Sequence, residues 1–339
     1  MMWRMSRVMT LTTIVILTIV SLRACASFNL DSYRSSGNSS STPIDGYGLY
    51  ESCPPSREAM CLDRLTKMAQ GGFKLVLNYR QLEGAEHHQV SYAKKAQALG
   101  MKIIWNIDDR AFWDGGDVRD KYSDLAATCA CSDNKGFIRY VIHLVKALPS
   151  TWGYYIGDEV LPKDHAPLKN FSDLVKQLDP GHPRLFVSCS QCDHIEKAKP
   201  PYVSTLIPMV DTADVLATDW YPVGSGSDSV KDTEKVAAGV QSVADQHGKQ
   251  SALVLQSFNW AQYPNTYHAC QPYPSCMPYP SVDDMRQMRD LTLQNSHPRL
   301  ILWYSYYKLF EADNPSLRWR NLIEAVGAAK TTPTPSIKK

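Results

Sequence analysis

The chain has 339 residues, 44% of them hydrophobic, with 36 lysines and arginines against 34 aspartates and glutamates. That length and apolar content can bury a large core. The near-neutral balance removes any electrostatic case for nucleic acid or an anionic membrane surface as a partner.

Arg4 and Arg7 precede LTTIVILTIVSL (11–22), an uncharged apolar run of 12 residues. This is the length of a signal-peptide core and falls short of the roughly 20 residues a spanning helix needs. Two endings fit. Ala24-Cys25-Ala26 reads as a small-residue cleavage site, and Leu22-Arg23-Ala24-Cys25 as an imperfect lipobox that would lipidate Cys25. Residues 1–24 are thus expected to be a signal, with an uncleaved anchor as the alternative. The product is expected to be extracellular or anchored at the cell surface, in the lipidated case through a membrane tether. Residues 25–43 are Ser-rich and apolar-poor, as a flexible linker would be, and residues 331–339 form a short tail. Between them, 44–330 shows no second linker and no repeat, which predicts one domain, expected to act as a monomer. Removal of 1–24 takes away three arginines and leaves 33 basic against 34 acidic residues.

Eight cysteines remain beside Cys25, in four local couples: Cys53/Cys61, Cys129/Cys131, Cys189/Cys192 and Cys270/Cys276. Export predicts that they oxidise, and proximity pairs each with its neighbour. Cys129-Ala-Cys131 is the least favoured couple, because so short a ring strains a disulfide. CSQCDH (189–194) lacks the His directly after the second Cys that haem attachment needs, and a fourth zinc ligand. His87-His88, His194 and His268 have no spacing partner either, so no metal and no cofactor are expected.

The predicted elements alternate. GYGLYES (46–52) is a strand. PPSREAMCLDRLTKMAQGG follows with proline at its start, Met60, Leu62, Leu65 and Met68 at helical spacing, and glycine at its end. FKLVLNY (73–79) is the second strand, before a helix around 85–99. MKIIWNI (101–107) is the third, then an acidic and aromatic loop and the helix NKGFIRYVIHLVKAL. TWGYYIGDE is the fourth strand; RLFVSC, ADVLATDWYP, SALVLQSFNW and RLILWYSYY are the fifth to eighth. Helical patterns separate them, among them SVDDMRQMRDLTLQN with a capping signal. A last helix has Asn314 as cap and Pro315 in its first turn. Eight strands alternating with eight helices predict a single (β/α)8 TIM barrel of the α/β class. An open doubly wound sheet would carry a Gly-rich loop after its first strand, and ESCPPSRE stands there instead.

Sites in a TIM barrel gather at the C-terminal ends of the strands. Those ends read Glu51; Asn78, Tyr79 and Arg80; Asn106 with Asp108 and Asp109; Asp158-Glu159; Cys189; Asp219, Trp220 and Tyr221; Gln256, Asn259 and Trp260; Trp303, Tyr304 and Tyr306. Carboxylates, amides and flat rings suit an oligo- or polysaccharide, whose C–H faces stack on aromatics while its hydroxyls hydrogen-bond. Asn78, Asn106, Trp220, Tyr221, Gln256, Trp260, Trp303 and Tyr304 are the candidate substrate contacts. Trp105 and Trp152, inside strands, are read as packing. Asp108 and Asp109 read equally as a solvated loop, and Asp158 could cap a turn or pair with Arg80.

An acid ending strand four, DWYP (219–222) ending strand six and a Trp on strand eight resemble the (β/α)8 glycoside hydrolases, in particular the retaining clan with its acid/base on strand four. The resemblance implies that Glu159 is the general acid/base, with Gly157 beneath it leaving room in the lumen. The clan's nucleophile is a Glu closing strand seven. Here Gln256 stands at about that place, and an amide cannot attack as a carboxylate does. Three readings follow: catalysis by Glu159 with Asp219; an Asp158-Glu159 pair like that of the β-hexosaminidases, where the substrate's acetamido group attacks; or a catalytically inactive, glycan-binding barrel.

Overall fold

A computed structural model of the chain describes residues 44–108, 116–190, 202–225, 229–263 and 278–327. Residues 1–43, read above as signal and linker, the tail and the Cys270/Cys276 couple lie outside the described residues. Eight parallel strands close into a barrel in sequence order: β1 (Gly46–Glu51), β2 (Leu75–Asn78), β3 (Lys102–Asn106), β4 (Thr151–Asp158), β5 (Arg184–Ser188), β6 (Val215–Trp220), β7 (Gln250–Gln256) and β8 (Leu300–Tyr304). β8 pairs with β1, so no edge remains.

Helices α1 (Glu58–Gln70) and α2 (Glu86–Ala98) follow β1 and β2. α3 (Val118–Lys121), α4 (Ser123–Cys129) and α5 (Asn134–Lys146) follow β3, and α6 (His165–Leu178) follows β4. α7 (Thr233–Gln246), α8 (Val282–Asn295), α9 (Tyr306–Leu309) and α10 (Pro315–Val326) complete the chain. The capping signals act as read: Ser281 and Asp284 form a reciprocal box on α8, and Asn314 accepts from Leu317 N on α10. The described residues of the β5–β6 connection depart from the expected helix. They carry a single 3-10 turn, Ile207–Met209, where Pro208 withholds a backbone donor. Among the described residues no helix is long and apolar enough to cross a membrane.

Strand alternation sorts the apolar residues into two layers. Leu75, Leu77, Ile104, Val187, Ala217, Val254 and Leu302 fill the lumen. Leu49, Val76, Trp105, Phe186, Leu216, Leu253 and Ile301 face the helices. Trp105 and Trp152 are packing, as read: Trp105 Nε1 donates to Thr151 Oγ1 (2.8 Å) and Trp152 Nε1 to Asp45 Oδ2 (2.8 Å).

Cys53 and Cys61 are joined, with Cα atoms 5.6 Å apart, and tie the end of β1 to α1. Cys129 and Cys131, the least favoured couple, are also paired, around Ala130 in the left-handed region at the end of α4. Cys189 is disulfide-bonded; Cys192 lies outside the described residues.

Candidate active site

The fourth strand decides the geometry of the mouth. Its register slips against β3 and again against β5 between Tyr155 and Gly157. Tyr155 faces the lumen, Ile156 faces the helices, and Gly157 also turns outward. A Cβ on Gly157 would meet Phe186 at 2.9 Å and Leu168 at 3.2 Å. The glycine therefore makes room for the outer layer, and the expectation that it clears the lumen is corrected. Beyond the slip, Asp158 turns inward, and Glu159 follows at φ 51°. That left-handed backbone costs a non-glycine residue about 1–2 kcal/mol and places both acids on the mouth side. A regular strand would have sent them to opposite faces.

Asp158 Oδ2 accepts from Tyr79 Oη (2.9 Å) and Oδ1 from Tyr155 Oη (2.5 Å), while Tyr50 Oη donates to Tyr155 Oη (3.3 Å). Arg80, the alternative partner, is bound to Glu83 at 2.6 Å. Burial, and then the charge of Glu159, push the Asp158 carboxyl up to about 6 against the pull of the two tyrosine hydroxyls. Asp219 ends β6 on the lumen side, 3% exposed, and accepts from Ser190 N (2.9 Å). It shares a side-chain hydrogen bond with Glu159. Burial and the Glu159 charge hold the Asp219 carboxyl well above the usual range. Glu159 itself is exposed. Three carboxyl groups thus converge at one end of the lumen, two of them harder to ionise than a free carboxyl.

Aromatic rings surround them. Tyr50 lies 5.4 Å from Tyr79, 6.0 Å from Tyr155 and 5.3 Å from Tyr304 between ring centroids. Tyr221 stands 5.7 Å from Tyr304 and 6.1 Å from Trp260. The structure therefore brings Asp158, Glu159, Asp219, Tyr221, Trp260 and Tyr304 together. Tyr50 and Tyr79 join them, although neither stood among the sequence candidates.

Five candidates are elsewhere. Trp220 and Trp303 are fully buried in the layer under the helices, Trp220 against Tyr202 at 4.9 Å, because each falls on the outward phase of its strand. Asn78 is 1% exposed and its amide is spent on Cys53 N, Cys53 O, Arg80 N and Gln81. Asn106 bonds Tyr79 O and Asp108 N. Gln256, fully buried, accepts from Val223 N (2.8 Å) and donates to Val223 O (2.9 Å) and Phe258 O (3.2 Å). These amides fasten loops and are not free for a sugar. Asp109 lies outside the described residues.

The Gln256 contacts yield a prediction. Gln256→Glu would turn a carboxylate oxygen toward two carbonyls, so the variant should lose about 3 kcal/mol in urea unfolding and gain no activity. Unfolding unchanged from the parent would show that the amide does not hold the loop.

Oxygens of Glu159 and Asp219 and the sulfur of Cys189 lie within 4.8 Å of one another. The sulfur is held in a disulfide, so it offers no thiolate to a metal.

The sequence matches no family model and no curated protein. Its fold is shared with solved structures. One assigned as an α-L-fucosidase from Bacteroides thetaiotaomicron has a TM-score of 0.54 at 15% identity, over 86% of this chain and 99% of the other. An endo-α-mannosidase from the same organism has a TM-score of 0.53 at 11%, over 85% and 97%. A β-mannanase from the blue mussel Mytilus edulis has a TM-score of 0.50 at 11%, over 86% and 93%. All three are similar in fold, and the chain shares their closed barrel.

Proposed function

We propose that this barrel hydrolyses glycosidic bonds in an oligo- or polysaccharide, with Glu159 as general acid/base and Asp219 as the group that shares its proton. The observation that carries the reading is the hydrogen bond between the two side chains at the mouth. Two carboxyls in contact cannot both ionise, so one proton stays on the pair and is available to a leaving glycosidic oxygen. Glu159 is the exposed member and can reach a substrate; Asp219 is buried and can only resupply it. Their oxygens lie within 4.8 Å, closer than the roughly 6.5–9.5 Å between carboxyls that accommodates an inverting enzyme's water. Tyr221, Tyr304 and Trp260 supply ring faces for the sugar. Five of the described cysteines are disulfide-bonded, which together with the expected N-terminal signal supports export into an oxidising compartment.

The second reading, a glycan-binding barrel without turnover, is favoured by one observation: strand seven offers Gln256, and its amide is spent on the Val223 backbone. A panel of aryl glycosides and polysaccharides, run with the full chain and with Glu159→Gln, separates the two. Turnover lost in the variant is the expected result. Tight binding by both proteins without turnover would establish the binding module.

A further inference from the structure

Retaining hydrolysis needs a group that attacks the anomeric carbon, and each carboxyl of the mouth is otherwise engaged. Asp219 is buried on Ser190 N and Glu159. Glu159 is the acid/base of the reading above, on which this inference rests. Asp158 carries a tyrosine hydroxyl on each oxygen. Of those two tyrosines, Tyr155 is fully buried and itself accepts from Tyr50, whereas Tyr79 is half-buried at the C-terminal end of β2 and reaches the mouth. We propose that Tyr79 is the nucleophile of a double displacement and that Asp158, 2.9 Å from its hydroxyl, is the base that activates it.

The chemistry balances. As Tyr79 Oη bonds to the anomeric carbon, its proton passes to Asp158. The bond from that carbon to the leaving oxygen breaks with its electron pair, and that oxygen takes the proton of Glu159. In the second step Glu159 takes a proton from water, whose oxygen bonds to the anomeric carbon. Tyr79 Oη departs with its electron pair and recovers its proton from Asp158. The product keeps the anomeric configuration. Burial and the charge of Asp158 hold the Tyr79 hydroxyl well above its usual range, so attack depends on the base. Asp158 loses its own proton near 6 and is ready for that part at neutral pH. The groups facing it are Tyr50 from β1, Tyr79 from β2, Tyr155 and Glu159 from β4 and its end, and Asp219 from β6. An uncharged phenol can meet an electron-rich sugar oxygen without the repulsion a third carboxylate would bring.

The test uses the full chain with 2-deoxy-2-fluoro glycosyl fluorides of the gluco, galacto and manno series, which slow the second step, followed by intact mass and peptide mapping. One sugar on the peptide containing Tyr79 is expected. Tyr79→Phe should lose the adduct and lower kcat by about 10³-fold or more, and Asp158→Asn by about 10²-fold or more, whereas Tyr155→Phe should cost about tenfold. An adduct on Asp158, Asp219 or Glu159 would overturn the assignment, as would Tyr79→Phe within about threefold of the parent. Turnover confined to 2-acetamido sugars without any adduct would overturn it in favour of the substrate's own amide. Adduct mapping on the unaltered chain decides the matter even if a variant fails to fold. A chain that turns over no glycoside at all overturns the glycosidase reading together with this one.

Discussion

Glu159→Gln is expected to lower kcat/KM by about 10³-fold or more while leaving the unfolding midpoint unchanged. The residue is exposed, so its replacement opens no cavity, and the glutamine amide can still hydrogen-bond the buried Asp219. The loss should be largest for substrates with poor leaving groups and smallest for activated aryl glycosides, which leave without protonation. Glu159→Gly sharpens the point. At φ 51° a glycine relieves the left-handed strain, so this variant should be equally inactive yet as stable as the parent or more so, by up to about 1 kcal/mol. Strain held where chemistry is done, and released by a substitution that kills activity, marks a functional position. If Glu159→Gly instead unfolds the chain, or Glu159→Gln keeps full turnover, Glu159 is not the acid.

The barrel was legible because every strand is a short apolar run that ends in a polar residue, and the helices between them carry their own start or stop. Gly72 after α1, at φ 89°, Ser281 before α8 and Asn314 before α10 each act in the structure as local chemistry requires. The β5–β6 connection was not legible in this way, because Pro208 removes a donor from the apolar stretch that reads as helical there.

The mouth was half legible, and the period of a strand explains which half. Side chains alternate, so Asp219 facing the lumen obliges Trp220 to face the helices; both could not line one site. The same rule turns Trp303 outward beside Tyr304 and Asn78 outward before Tyr79. Applied strictly it would have exchanged Asn78 for Tyr79 and brought in Tyr50, one residue before Glu51 on β1. It would also have failed at β4, where the register slip between Tyr155 and Gly157 brings Asp158 and Glu159 to one side. Gly157 against Phe186 was the available sign of that slip, since glycine inside a strand often marks a bulge. Gln256 and Asn106 were out of reach of any pattern, because what spends their amides is the path of loops distant in sequence.

Stability should fall as pH rises from about 4 to 7. Asp158 keeps its proton up to about 6 and Glu51 up to about 7, each because burial penalises the charged form, and Asp219 is held well above the ordinary carboxylate range. For an acid raised in the folded state, the stability is fully present below its unfolded value and is lost progressively as pH climbs to the folded one. Asp158 and Glu51 should each withdraw about 3 kcal/mol across that window, since each pH unit separating the folded from the unfolded value is worth about 1.4 kcal/mol. In the other direction, Asp179 and Asp214 are held below the usual carboxylate range by Tyr154, His182 and Arg184, and their contribution disappears as pH falls through 4 and below. The unfolding midpoint should therefore peak at about pH 4 and drop by about 10 °C or more by pH 8, at roughly 2–4 °C per kcal/mol. Calorimetric scans across that range provide the check. Asp158→Asn should flatten the curve around pH 6 without shifting its acid side, since the amide oxygen can still accept from one of the Tyr79 and Tyr155 hydroxyls while its NH2 donates to the other. A midpoint that climbs from pH 5 to pH 8 would mean that these carboxyls are solvated and ionised in the folded chain, and the proton shared by Glu159 and Asp219 would have no buried ground to rest on.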